Sequence, residues 1–313
     1  MFMFLPGPVR TAIGAVAIVL NTLFWLVPLF LFTFLKFLAR TPEKRSARGA
    51  MAADAAQNWI GVNTWLINNL QRVEWAITGH EGLSTQQWYL VLSNHLSGLD
   101  IPVLQAVFHR RIPFMRVFLK KSLIWMPVLG QAWWALDYPF MSRNSAAAIA
   151  RDPSLRMKDV EATRKACEKF KYLPTSILNY VEGTRFTQEK HDAQGSEFRN
   201  LLRPKAGGIA FAIEAMGSRF TALLDVTIFY PEGDMDIWDL MLGRVHKVVV
   251  HVQQRAIPSE FFVGDYMGDD AYRARFRAWL TEMWVEKDAL IDQLREQYGV
   301  AETRQEGAAE PAA

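Results

Sequence analysis

The chain has 313 residues, half of them apolar, 12% aromatic and 21% charged, which excludes a disordered protein of low hydrophobicity and high net charge. Thirty-five Lys and Arg against 32 Asp and Glu leave a net charge of +3, too near balance to argue for a nucleic-acid partner. Cys167 is the single cysteine, so a disulfide scaffold and any multi-cysteine zinc site are both excluded.

The apolar excess starts at the N-terminus. Residues 11–39 read TAIGAVAIVLNTLFWLVPLFLFTFLKFLA, with Lys36 the only charge. At about 1.5 Å per residue the run is long enough to span a hydrocarbon core. No small-residue cleavage site follows it, so an uncleaved membrane anchor is expected rather than a signal peptide. Asn21 and Pro28 lie mid-run and predict a bend, which leaves a kinked or re-entrant segment open. Arg40, Lys44, Arg45 and Arg48 follow the run while Arg10 alone precedes it, which places the remainder on the cytoplasmic side by the positive-inside bias. Eleven Trp and 20 Phe fit a surface that meets lipid. In residues 54–72 the apolar Trp59, Val62, Leu66 and Leu70 recur at helical spacing and predict an amphipathic helix. It lies either on the bilayer or against a core.

From residue 73 the pattern alternates. Short β-rich runs are predicted at 75–78, 88–93, 114–119, 176–181, 222–229 and 247–253. Helices are predicted near 100–108, 157–171, 207–216 and 269–298. Alternating strands and helices give an α/β fold with a mixed, mostly parallel sheet flanked by helices. The organisation expected is a membrane anchor at 1–72, a catalytic-size domain at 73–300 and a disordered, small and polar tail at 301–313.

Two strand ends carry candidate chemistry. In WYLVLSNHLSGLD (88–100) an apolar strand runs into His95, and Asp100 opens the next helix. Open α/β sheets place their ligands at this carboxyl edge. Asp100 can reach back to one imidazole nitrogen and leave the other free as a base, or it can simply cap its helix. In NYVEGTRFT (179–187) a strand ends in Glu182-Gly183-Thr184-Arg185. The glycine permits a sharp turn, and the arginine offers a planar fork suited to phosphate; a Glu182–Arg185 salt bridge is the plainer alternative. Between and beyond these ends Lys120, Lys121, Arg143, Arg203 and Lys205 sit at element ends and together predict an anionic cradle. Cys167 falls within a charged helix and is expected to be inert. His191 with Asp192, or His246 with His251, makes no metal-ligand set, so no metal is expected.

The stretch His95 to Asp100 resembles the histidine–four–aspartate motif of the glycerolipid acyltransferases, and Glu182-Gly183-Thr184-Arg185 resembles their second hallmark. KKSLIWMPVLGQAWW (120–134) and Phe140 with Arg143 are similar to the blocks between them. Pro204 and Lys205 resemble a fourth block, and LLRPKAGG with Asp225-Val226-Thr227 is similar to one branch of the family. The resemblance covers residues 75–257 and points to the 1-acylglycerol-3-phosphate (lysophosphatidic acid) acyltransferases. Two departures, Met141-Ser142 before Arg143 and Leu96-Ser97-Gly98 within the first motif, bear on headgroup choice more than on the reaction.

The resemblance implies an enzyme that moves a fatty acyl group from a thioester to the sn-2 hydroxyl of lysophosphatidate, giving phosphatidate for phospholipid synthesis. His95 would be the general base and Asp100 its orienting partner. Lys120, Lys121, Arg143, Arg185 and Lys205 would hold the phosphate, with Glu182, Gly183 and Thr184 shaping that site. Acyl-CoA or acyl carrier protein would be the co-substrate, with no cofactor. The protein would work among membrane lipids, at the cytoplasmic membrane if the chain is bacterial, with its active site facing the cytoplasm. Direct transfer is expected, since no serine or cysteine pairs obviously with His95; Ser97 is the rival nucleophile. Acylation of another lysophospholipid, transacylation, and non-catalytic binding of anionic lipid are the alternatives.

Overall fold

The computed structural model describes residues 4, 6–141, 151–152, 161 and 173–300. The helix expected at 157–171 with Cys167, the tail from 301, and Arg143 lie outside the described residues. The chain opens with two long helices, α1 (Gly7–Phe37) and α2 (Pro42–Leu70). Pro28 sits inside α1, which nevertheless runs unbroken as one helix. Asn21 is not a breaker either: its buried amide donates to Trp59 O at 3.1 Å and Asn63 Oδ1 at 2.8 Å on α2. Such a pairing satisfies a polar group that would otherwise be costly between apolar helices. Helix α2 starts well before the predicted amphipathic stretch, because Thr41 caps it by accepting from Lys44 N and Pro42 suits the first turn. Its buried residues are Ala52, Ala53, Ala55, Ala56, Ile60, Leu66, Ile67 and Leu70, so Leu66 and Leu70 of the predicted apolar pattern face inward. The small alanines let α1 approach closely, whereas Val62 is exposed.

A six-stranded sheet follows, built from β1 (Glu74–Thr78), β2 (Tyr89–Ser93), β3 (Met115–Val117), β6 (Ser176–Tyr180), β7 (Ala222–Phe229) and β8 (Lys247–Arg255). Its order is β1-β8-β7-β2-β6-β3, and only β7–β8 pairs antiparallel. The fold class is therefore the expected one. The predicted strand at 114–119 divides, however. β3 pairs with β6, while β4 (Leu119–Lys120) pairs with β5 (Phe140–Met141) in a separate two-stranded sheet.

Both faces of the main sheet are covered, so its central strands read as near-continuous apolar runs. Along β2, Leu90 and Leu92 face a core shared with α6 (Gly207–Met216) and α8 (Asp270–Gln297). Tyr89 and Val91 face the opposite core, shared with α3 (Asp100–Phe108). Phe276 and Trp284 of α8 are fully buried, and truncating one such ring to alanine costs about 3–5 kcal/mol. The remaining helices are short: α4 (Leu129–Ala135), α5 (Gln188–Gln194) and α7 (Ile237–Met241).

Candidate active site

Strands β2 and β6 are parallel neighbours with Ser93 opposite Tyr180. The residues two positions further on, His95 and Glu182, therefore leave the sheet side by side at its carboxyl edge. Asn94 secures the exit of β2, because its side-chain amide donates to Ile228 O and accepts from Ile228 N, both at 2.9 Å, as a strand backbone would.

The loop from Asn94 to Leu99 closes around the Asp100 carboxylate, which is wholly buried. One oxygen, Oδ2, lies 2.7 Å from His95 Nδ1 and accepts from Leu96 N at 2.6 Å and Ser97 N at 2.9 Å. The other, Oδ1, accepts from Tyr230 Oη at 2.9 Å. Asp100 thus brackets the loop that precedes α3 instead of capping the helix, whose flanking residue is Leu99 without a side-chain cap. The bond fixes Nδ1 as the protonated nitrogen and leaves Nε2 free to accept a proton. The Tyr180 ring stacks on the imidazole, centroids 3.9 Å apart and planes 15° from parallel. Burial, with the charge of Asp100 adding to it, pushes both the Tyr180 and Tyr230 hydroxyls well above their ordinary pKa, so both remain neutral, and Tyr230 donates to Asp100. Sequence patterning gave neither tyrosine a role, since each reads there as one more aromatic of a core strand.

Glu182 is also wholly buried. Its two oxygens accept from His95 N at 3.2 Å and Leu202 N at 3.1 Å, so the carboxylate ties three segments together and makes no salt bridge to Arg185. Burial raises its pKa to about 7, against the opposing pull of those two amide bonds. The turn at Gly183 has φ +74°, and a Cβ there would sit 3.1 Å from Lys205 Cδ. A side chain at this position would be strained and crowded. Phe186 N donates to His95 O at 2.7 Å, joining the two loops directly.

Arg185 is exposed, and its guanidinium lies beside Gly98, 3.5 Å from where a Cβ would stand. Thr184 is half-buried within the same turn. Lys120 and Lys121 are exposed where the chain leaves β3, which runs parallel to β6 and so ends at the same edge of the sheet. The β4–β5 pairing sets Lys120 beside Met141. Lys205 is exposed, and its backbone N donates to Val181 O at 2.8 Å. Ser97 Oγ accepts from Leu99 N at 3.0 Å, a turn-forming contact. A partly exposed imidazole, hydrogen-bonded to a buried carboxylate, thus stands with cations on the neighbouring loops at the edge of a parallel sheet. Such an arrangement can deprotonate a hydroxyl carried on an anionic molecule.

Residues 74–231, just over half of the chain, match the protein-family model described as Acyltransferase. Among curated proteins the chain is similar to 1-acyl-sn-glycerol-3-phosphate acyltransferase 2 of Arabidopsis thaliana, 29% identical over 65% of this chain and 51% of that protein. It is also similar to 1-acyl-sn-glycerol-3-phosphate acyltransferase delta of Homo sapiens, 26% identical over 57% of this chain and 45% of that protein. The chain spans about half the length of these relatives. A crystal structure of the 1-acyl-sn-glycerophosphate (LPA) acyltransferase PlsC from Thermotoga maritima is similar with a TM-score of 0.49 at 15% identity, covering 93% of this chain and 100% of that one.

Proposed function

The chain belongs to the acyltransferase family, and from that premise we propose that it acylates the sn-2 hydroxyl of lysophosphatidate from an acyl thioester, with His95 as general base. The observation that carries the reading is the His95 Nδ1–Asp100 Oδ2 bond of 2.7 Å, made by a carboxylate with no solvent exposure. The bond holds one tautomer and stabilises the imidazolium that forms.

In the reaction the acceptor oxygen attacks the thioester carbonyl carbon while Nε2 of His95 takes the hydroxyl proton. The tetrahedral intermediate then expels the thiolate, which recovers that proton, so the base returns to its starting state without a covalent enzyme intermediate. Arg185, with Lys120, Lys121 and Arg143, holds the acceptor phosphate near the base, and Lys205 borders it across Gly183. Glu182, Gly183 and Thr184 shape the turn that presents Arg185. The names of the curated relatives support this acceptor over other lysolipids.

The reading also seats the protein on a membrane. Helix α1 is long and apolar enough to cross one. Both of its ends are nevertheless tied to the catalytic body, by Thr11 Oγ1 donating to Met241 O at 2.8 Å and by a Lys36–Asp137 ion pair. A helix held along its length in this way lies in the plane of the interface, where lysolipid is delivered.

The test is acyl transfer by membranes containing the protein, with labelled acyl-CoA or acyl carrier protein donors and a panel of lysolipids. The expected result is transfer to lysophosphatidate that His95→Ala abolishes at an unchanged melting temperature, and that Arg185→Ala weakens through a higher acceptor KM. Near wild-type turnover in His95→Ala removes the base. Transfer confined to another lysolipid moves the acceptor, and lipid binding without any turnover replaces the enzyme by a binding protein.

A further inference from the structure

Beyond the strand ends lies a cavity of about 390 Å³. Its walls come from Glu197 and residues 203–207 on one side and from Tyr266, Arg277, Leu280 and Thr281 on the other. Three cations line it. Arg203 is neutralised, its Nε 2.6 Å from Glu197 Oε2. Lys205 and Arg277 are exposed and have no ion-pair partner among the described residues. Two uncompensated positive charges in a partly apolar recess favour an anionic ligand with an apolar portion.

Position decides which anion. None of the wall residues belongs to α1, α2, α4 or α7, the elements that form or touch the long apolar helix. The cavity is therefore lined without any element that packs against that helix. It also adjoins the reaction site: Lys205 N bonds to Val181 O, one residue before Glu182, whose carboxylate holds His95 N. One strand spacing and one hydrogen-bonded step put Lys205 roughly 10 Å from the backbone of His95. A flexible arm with its thioester at the base could place a phosphate in the recess.

We propose that this cavity binds the phosphate end of the acyl donor's phosphopantetheine arm, with Arg277 on the phosphate, Lys205 on the wall shared with the acceptor site, and Leu280 and the Tyr266 ring against the apolar portion. The inference rests on the acyl-transfer reading for its ligand. Coenzyme A and acyl carrier protein share this chemistry, so the geometry concerns the arm and not its carrier.

The experiment uses the full chain in detergent micelles. Binding of coenzyme A and of 4′-phosphopantetheine is measured directly for wild type, Arg277→Glu and Thr281→Glu, whose melting temperatures are compared first. Steady-state KM values for donor and acceptor are measured alongside. Reversal of the Arg277 charge is expected to weaken coenzyme A binding and raise the acyl-donor KM by about tenfold, with kcat and the lysophosphatidate KM within about twofold. Thr281→Glu, which breaks no contact of the guanidinium, should act in the same direction. Equal binding of 4′-phosphopantetheine points to the arm common to both carriers, while binding of coenzyme A alone assigns the nucleotide end. Unchanged affinity in both variants overturns the proposal, and so does a rise confined to the acceptor KM. Arg277-dependent binding in a protein that transfers no acyl group sinks the acyltransfer reading while keeping the anion cavity.

Discussion

Four hydrogen bonds converge on Asp100, and the one from Tyr230 alone reaches Oδ1. It holds the carboxylate so that Oδ2 faces the imidazole. A hydrogen bond to a charged group contributes about 1.5–3 kcal/mol. Tyr230→Phe should therefore lower kcat about tenfold or more, with both KM values little changed, in steady-state kinetics; an unaltered kcat would separate Tyr230 from the base. Glu182 makes a different prediction. Its pKa of about 7 in the folded protein lies above the ordinary value of 4.5, so the folded state binds this proton more tightly than the unfolded chain. Stability is then greatest below the ordinary value and is lost as pH rises through 7, by on the order of 3 kcal/mol. In Glu182→Gln the fall in Tm from pH 5 to pH 8 should flatten, at a lower Tm throughout, because one amide oxygen cannot serve both His95 N and Leu202 N. A slope unchanged from wild type would show that another group titrates.

At the scale of elements, α8 is fixed to the sheet by a charge. Lys287 is almost completely buried and places Nζ 2.6 Å from both Val226 O and Asp225 Oδ1, and 3.0 Å from Thr227 Oγ1. Burial lowers its pKa, and Asp225 opposes that shift. Arg255 Nε completes the network at 3.2 Å from Asp225 Oδ2. Removing one partner of such a pair strands the other charge and costs about 3–5 kcal/mol. Urea unfolding should show a loss of that size for Lys287→Ala. The double variant Lys287→Met with Asp225→Leu should recover much of it, because no unpaired charge remains. Equal losses in both variants would show that the site depends on the charges themselves. In sequence Lys287 is one cation on a helix rich in charge, and nothing in its spacing marks it as buried. Its partners lie about sixty positions away.

For the whole molecule, α1 is the helix among the described residues that is long and apolar enough to cross a membrane. Val16, Leu20, Leu23, Val27, Leu31 and Phe34 form an exposed apolar stripe at helical spacing. The body adds Trp238 near one end of the helix and Trp125 and Trp134 near the other, all exposed. Phe37 stacks on Trp134 with centroids 5.5 Å apart. A spanning helix would put its two ends on opposite sides of about 30 Å of hydrocarbon. In a Cys167→Ser background, cysteines introduced as Val9→Cys and Lys44→Cys should react with an impermeant maleimide from the same side of sealed vesicles. Labelling from opposite sides would establish a crossing.

The amino-acid order by itself determined the apolar N-terminal helix, the α/β class and the two strand-end motifs, because each depends on neighbours within a few residues. Helix α3, helix α6 and strand β7 fall at 100–108, 207–216 and 222–229, as their periodicity predicts. The division of residues 114–119 between two sheets was not legible, since distant partners on β6 and β5 decide it. The buried side of α2 was legible only in part: Leu66 and Leu70 are buried as their spacing predicts, whereas Val62 is exposed and the alanines at 52–56 complete the packed face. At the candidate site, His95, Asp100 and Glu182 could be read from local sequence. Only the parallel register of β2 with β6 sets them side by side, and only the return of β7 brings Tyr230 to the far oxygen of Asp100. Those contacts join residues 87 to 130 positions apart, a separation over which no local pattern carries information and the packing of the whole sheet decides.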